Sequence, residues 1–238
     1  LDPALIGADV GLTLDPWQAS LLRDMPRRAL LLCSRQSGKT TVCQLMAIHV
    51  ALYEPGSLVI VASPSQRQSA EFLRGVVRYH AKMVGVPALN AESTLRAELA
   101  NGSRILALPG SERTIRGYAA PSLVILDEAA RIDDELISAV RPMMATNQGR
   151  LICLTTPAGK RGFFFDAWHG DGDWTRVRVA ASDCPRITEE FLQEELKELG
   201  MSKFSEEYNL TFVDADEAVF PTEIIARAFT TEVTPLWR

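Results

Sequence analysis

Four short runs of the chain are apolar without alternation: 28–34 (RALLLCS), 57–63 (SLVIVAS), 122–128 (SLVILDE) and 150–156 (RLICLTT). Short runs rich in Val, Ile and Leu with no polar side are what strands buried on both faces require. Between them lie stretches whose apolar positions recur every three or four residues, at 38–52, 66–84 and 132–145, which predicts helices. Strands alternating with such helices predict βαβ units: an α/β protein with a mostly parallel central sheet flanked by helices. One stretch breaks the rhythm. In 94–109 (TLRAELANGSRILALP) an Asn101-Gly102 turn separates two short extended runs, which predicts a hairpin attached to the sheet. Residues 170–174 (GDGDW) read as a loop, 163–168 (FFFDAW) as core packing or a lid hinge, and the acidic text from about 187 to 209 as helical.

Composition narrows the class. The 238 residues, 47% hydrophobic and 23% charged, suffice for one large core with a small appendage. No apolar run is long enough to span a bilayer and no signal peptide is visible, so no membrane partner is expected. The chain begins with Leu1 rather than Met, which reads as a trimmed chain. Cys33, Cys43, Cys153 and Cys184 are far apart, without a CxxC pair. They read as small core residues in a reducing cytosol rather than as a zinc site or disulfides. The net charge of −5 argues against a protein that coats nucleic acid over its whole surface. Residues 183–238 hold 13 acidic and 5 basic side chains, whereas 1–182 hold 17 and 20. The expected division is therefore a main core over 1–182 and a small acidic helical lid or linker over 183–238.

The chemistry concentrates at strand ends. "SRQSGKTT" (34–41) follows an apolar strand and opens a helix. Backbone N–H groups of such a turn, and the helix dipole behind it, converge on an anion. Ser34, Arg35, Gln36, Ser37, Gly38, Lys39, Thr40 and Thr41 are thus the expected phosphate cradle. Lys39 is expected to reach the β- and γ-phosphates and the Thr40 hydroxyl to ligate Mg²⁺. The glycine expected five residues before Gly38 is replaced by Cys33, a small residue that need not abolish the cradle. "LVILDEAA" (123–130) is a second apolar strand, ending in two acids. Asp127 is placed to hold the Mg²⁺ water shell, and Glu128 to polarise the water that attacks the γ-phosphate. Upstream, "LTLDPWQASLL" (12–22) offers a helix start capped by Asp15 with Pro16 at its first position. Gln18 there is placed to bond the adenine edge and select ATP over GTP, with Trp17 packing near the base. Thr155 and Thr156, at the exit of the fourth strand, are placed to sense the γ-phosphate.

In order, "PWQ", "SRQSGKTT", "SERTIRGYAAPSLVILDEAA" and "LTTPAGKRG" resemble the ATPase domain of bacteriophage terminase large subunits, over most of residues 12–165. The resemblance implies a P-loop NTPase fold of the additional-strand, catalytic-glutamate type, with ATP and Mg²⁺ as cofactors. It implies a ring of identical subunits on a viral portal, with a small terminase subunit as partner, translocating double-stranded DNA into a prohead in the cytoplasm of the infected host cell. It makes Lys39 and Thr40 the phosphate and metal contacts, Asp127 the metal-associated acid, Glu128 the catalytic base, and Thr155, Thr156 and Pro157 the coupling motif. It makes Arg116 of "TIRGY" the arginine finger offered to a neighbouring subunit, with Arg35 (acting within one subunit) and Arg113 as competitors. "DADEAVFP" (214–221) looks like the junction to a nuclease domain, and this fragment is expected to lack nuclease activity.

A DNA track is expected on the third helix, where Arg74, Arg78 and Lys82 recur every four residues while Leu73, Val76, Val77 and Val84 face elsewhere. Such contacts would be sequence-independent and salt-sensitive. Arg96 and Arg104 on the hairpin arms are further candidates. Two alternatives stay open at this point: a superfamily 2 type helicase or translocase, which needs a second RecA-like domain, and a nucleotide-gated assembly module in which hydrolysis is incidental.

Overall fold

The structure, a computed structural model, describes residues 2–110, 115, 117–145 and 147–213. The four apolar runs are β1 (Arg28–Cys33), β2 (Leu58–Ser63), β6 (Leu123–Asp127) and β7 (Arg150–Thr155). With β3 (Leu89–Ser93), β4 (Arg96–Leu99), β5 (Arg104–Pro109) and β8 (Thr175–Val179) they form one sheet in the order β3-β4-β5-β2-β6-β7-β1-β8. The six strands from β5 to β8 in that order pair in parallel, and β3 and β4 add antiparallel at one edge. The expected hairpin is β4 and β5, with Ala97 opposite Ile105. β3 and β8 are not legible as strands in the sequence. β3 is solvent-exposed along most of its length, and β8 (TRVRV) carries two arginines, so neither has the apolar run of a central strand.

The period of two along each central strand divides the core. Ala29, Leu31 and Cys33 of β1 and Val59 and Val61 of β2 pack with α3 (Lys39–Tyr53) and α4 (Gln66–His80) on one face. Leu30, Leu32, Ile60 and Leu126 pack on the other with α5 (Asp134–Met143) and α6 (Gly162–His169), whose Phe164 is buried. All four cysteines are free and buried, as small core residues. The third predicted helix is shorter than expected: α4 ends at His80, where the ring Nε2 meets the Pro87 carbonyl at 2.8 Å. Val84 is therefore 96% exposed rather than part of an apolar helix face, and Lys82 lies in the turn after the helix.

Two short N-terminal helices, α1 (Leu5–Asp9) and α2 (Pro16–Asp24), precede β1. The acidic C-terminal text is α7 (Glu189–Glu207), bent at Gly200, whose φ of 73° lies in the left-handed region. Its Phe204 joins Ala181 and Tyr208 in a small hydrophobic cluster against which Phe191, Leu192 and Leu196 pack. Among the described residues no helix is long and apolar enough to cross a membrane. The proposed junction at 214–221 lies outside the described residues.

Candidate active site

β1 delivers the chain into the phosphate loop. The Ser34 N–H donates to Val179 O at 2.9 Å, and Ser37 Oγ donates to Ser34 O at 2.8 Å, closing the turn on itself. Gly38, at φ 88°, leads directly into α3, and a Cβ there would stand 2.5 Å from Gln18 Nε2. Only glycine meets both demands. Cys33 is the last residue of β1, paired with Val179 and fully buried, and burial pushes its thiol up to about 12. The residue standing where a glycine was expected is thus an ordinary core side chain that leaves the loop intact. Lys39 opens the 15-residue α3 and is itself buried, so its ammonium and the helix N-terminus address the same space.

β6 lies next to β7 in the sheet and ends in the acid pair. Glu128 adopts φ 53°, ψ 46°, a left-handed conformation that costs a non-glycine residue about 1–2 kcal/mol. That turn brings its Oε1 to 3.9 Å from Lys39 Nζ, while Oε2 accepts from Arg131 Nη1 at 2.8 Å and lies 3.5 Å from Thr155 Oγ1. Thr155 is fully buried, and its hydroxyl donates to Thr156 O at 2.7 Å. Arg131 also donates to Thr156 Oγ1 at 3.2 Å and to Pro157 O at 3.5 Å. The structure therefore brings Lys39, Asp127, Glu128, Thr155, Thr156 and Pro157 together. Arg131 was missed, although an Arg three residues after Glu128 is the spacing of an ion pair across one tight turn.

Burial raises the Asp127 carboxyl to about 6, Glu128 adding to the rise and Lys39 opposing it. A carboxyl raised in the folded state contributes stability that is complete below its ordinary value of 3.8 and lost as pH rises through about 6. At higher pH the metal-free protein holds a buried charge that the unfolded chain would solvate. Asp127→Asn is therefore expected to stabilise the metal-free domain at about pH 8, by up to ~3 kcal/mol from a shift of roughly two pH units, and to change little at about pH 4. Thermal denaturation in a chelator at both pH values reads this directly; equal effects at both would place the origin elsewhere. The same buried carboxylate, with a Thr40 hydroxyl that makes no hydrogen bond among the described residues, is a hard-oxygen donor set suited to Mg²⁺.

Gln18 is buried and reaches the loop, but its amide is already engaged. Oε1 accepts the Asp15 N–H at 2.9 Å and Nε2 donates to Gly38 O at 3.2 Å. It acts here as a helix cap and a brace for the phosphate loop. Trp17 packs against the core beside α3 with its Nε1 buried and unpartnered. Arg186, not anticipated, pairs with Asp15 at 2.6 Å and donates to Ser37 O at 3.4 Å. Arg35 points to Glu207 rather than into the cradle, and Glu207 was also unmarked among the acids of its segment. Arg113 and Arg116 lie outside the described residues. Of the DNA candidates, Arg74 pairs with Glu71, Arg78 stacks on the Tyr79 ring, Lys82 donates to Val10 O, Arg96 pairs with Glu98, and Arg104 opens β5, exposed.

The model of the family described as terminase large subunit, T4likevirus-type, N-terminal, matches residues 30–227. The chain belongs to the terminase large subunit family. It is 25% identical over 239 residues to the terminase large subunit of Thermus virus P23-45, covering 85% of this chain and 49% of that protein. The chain spans half or less of the length of the curated relatives it matches. Its fold is that of the Thermus phage P74-26 large terminase ATPase domain, with a TM-score of 0.74 at 21% identity, covering 87% of this chain and 97% of that one. The large terminase of another thermophilic bacteriophage, in complex with ADP, gives 0.68 at 9% identity, covering 89% and 53%. These likenesses place the sheet in the P-loop NTPase class, and the family match sets the helicase alternative aside.

Proposed function

We propose that this domain binds ATP with Mg²⁺ and hydrolyses it, and that within a terminase large subunit this powers translocation of double-stranded DNA into a viral prohead. The observation that carries the reading is the convergence of Lys39 at a helix N-terminus with Glu128 at the tip of β6, one strand removed from β1 in the sheet. A loop of backbone donors with a lysine binds phosphates; an acid beside them turns binding into hydrolysis. Thr40 and Asp127 would hold the Mg²⁺, which neutralises phosphate charge when bound. Lys39 orients the terminal phosphate, and Glu128 accepts the proton of the attacking water. Thr155, Thr156 and Pro157, against Glu128 and Arg131, form the segment that carries the state of the site onward. The thermophilic phage terminase of similar fold binds ADP, which supports nucleotide as the ligand.

The reading extends to the partners of a packaging motor: neighbouring copies in a ring, a portal, a small terminase subunit and DNA, in the cytoplasm of an infected host. Residues 183–238 serve as the lid and linker of the domain. Single-turnover phosphate release from ATP, with Mg²⁺ and with chelator, at rising protein concentration, tests the core of it. Mg²⁺-dependent release whose specific rate climbs with concentration is expected. Tight ATP binding with no release at any concentration would instead make the domain a nucleotide-gated assembly module.

A further inference from the structure

Glu207 is the last residue of α7 and is 2% exposed despite its charge. Its carboxylate receives the Arg35 guanidinium side-on, Nε to Oε2 at 2.8 Å and Nη2 to Oε1 at 3.1 Å. Its backbone carbonyl also accepts the Arg35 N–H at 3.3 Å. Oε1 lies 3.8 Å from Arg131 Nη2, and the other terminal nitrogen of Arg131 is the one that grips Glu128. Next to it, Glu206 Oε1 accepts the Gly159 N–H at 3.2 Å, seating the end of α7 on the segment that follows Pro157. A line of alternating charge thus runs Arg35, Glu207, Arg131, Glu128, Lys39, from the phosphate loop through α7 and back to the strand tip.

A buried carboxylate between two guanidinium groups is not a passive surface pair, because removing it leaves two cations to find new partners. Among the described residues Arg35 has one carboxylate, Glu207, and Arg131 has two, Glu207 and Glu128. Arg131 meets the two with different nitrogens: Nη1 bonds Glu128 at 2.8 Å, and Nη2 stands 3.8 Å from Glu207. We propose that Glu207 is a positioning residue for hydrolysis: its charge steadies the Arg131 guanidinium that holds Glu128, and it keeps Arg35 on the end of α7 rather than on the nucleotide. This rests on the reading that Glu128 is the hydrolytic acid. It makes α7 the element that sets both how strongly the site attracts phosphate and how its acid is placed.

The consequence has two opposite signs, which a simple brace would not produce. Without the Glu207 charge, Arg131 loses one of its two carboxylates and holds Glu128 less firmly in place, while Arg35 is released beside the loop and adds positive charge for the nucleotide. Glu207→Gln is expected to tighten binding of a fluorescent ATP analogue several-fold and to lower single-turnover kcat about tenfold, the scale of one charged hydrogen bond. Adding Arg35→Gln to Glu207→Gln is expected to return ATP affinity to the wild-type level while kcat stays low. Weaker ATP binding and a lower Tm, with kcat unchanged at saturation, would show a brace and overturn the proposal. So would a double variant that binds the analogue as tightly as the single one. Should Glu207→Gln not fold, Glu207→Asp decides, because the shorter acid cannot reach both guanidinium groups: tighter ATP binding with a lower kcat supports the proposal, and binding and kcat both at the wild-type level overturn it. Glu128→Gln is run beside them; full turnover there would fail the hydrolysis reading itself rather than the role of Glu207.

Discussion

Replacing Glu128 with Gln is expected to slow ATP hydrolysis by about 10²–10⁴-fold while leaving ATP bound. The side chain keeps its shape and its place on the left-handed turn after β6, so the loop and Lys39 should be undisturbed. What is lost is the capacity to take a proton from water, and a negative charge 3.9 Å from the ammonium proposed to hold the terminal phosphate. Nucleotide affinity should therefore stay level or rise as kcat collapses. Equilibrium binding of ATP alongside single-turnover phosphate release separates the two. A variant with normal turnover would remove Glu128 from the chemistry and revive the assembly-module reading. A variant that loses ATP binding would mean that the Glu128 contacts to Arg131 and Thr155 chiefly build the site.

The parts of this site that are legible in sequence are those dictated by local geometry. A strand, a tight anion-facing turn and a helix must be contiguous, so Ser34 to Thr41 announce themselves, and an acid pair ending an apolar run announces β6. The four central strands are legible for the same reason: burial on both faces leaves no polar position to blur them. β3 and β8 stand at the two edges of the sheet, where pairing rather than burial defines a strand, and their sequences carry no apolar run. Glu207 was hidden for a different reason. It is one of 13 acids in the last quarter of the chain, and only the fold, by setting the end of α7 against Arg35 of the phosphate loop, distinguishes the buried one. Arg35 shows the limit of reading a residue type without its partner. An arginine in a phosphate loop suggests a γ-phosphate contact, yet its guanidinium lies along a carboxylate on another element.

That placement bears on the second large effect. Among the described residues, the arginines that flank the acid pair, Arg35 and Arg131, both rest on carboxylates. Transfer of a phosphoryl group gathers negative charge on its oxygens, and Lys39 alone is a modest counterweight. A further cation would offset that charge, and Arg116, on the sequence between β5 and β6, is the residue proposed to supply it to a neighbouring subunit. Arg116→Ala is expected to lower kcat by about 10³–10⁵-fold, the usual worth of such a finger, with ATP affinity little changed. Mixing gives the sharper result. Arg116→Ala subunits keep Glu128, and Glu128→Gln subunits keep Arg116, so each preparation alone is inactive. In a mixed assembly, an Arg116→Ala subunit receives the arginine of its Glu128→Gln neighbour, and that one interface is complete. ATPase activity should reappear on mixing and peak near equal proportions. If the mixture stays as inactive as its components while wild-type subunits still associate, the finger acts within its own subunit. The release of Arg35 from Glu207 then becomes the better account of how the charge is met.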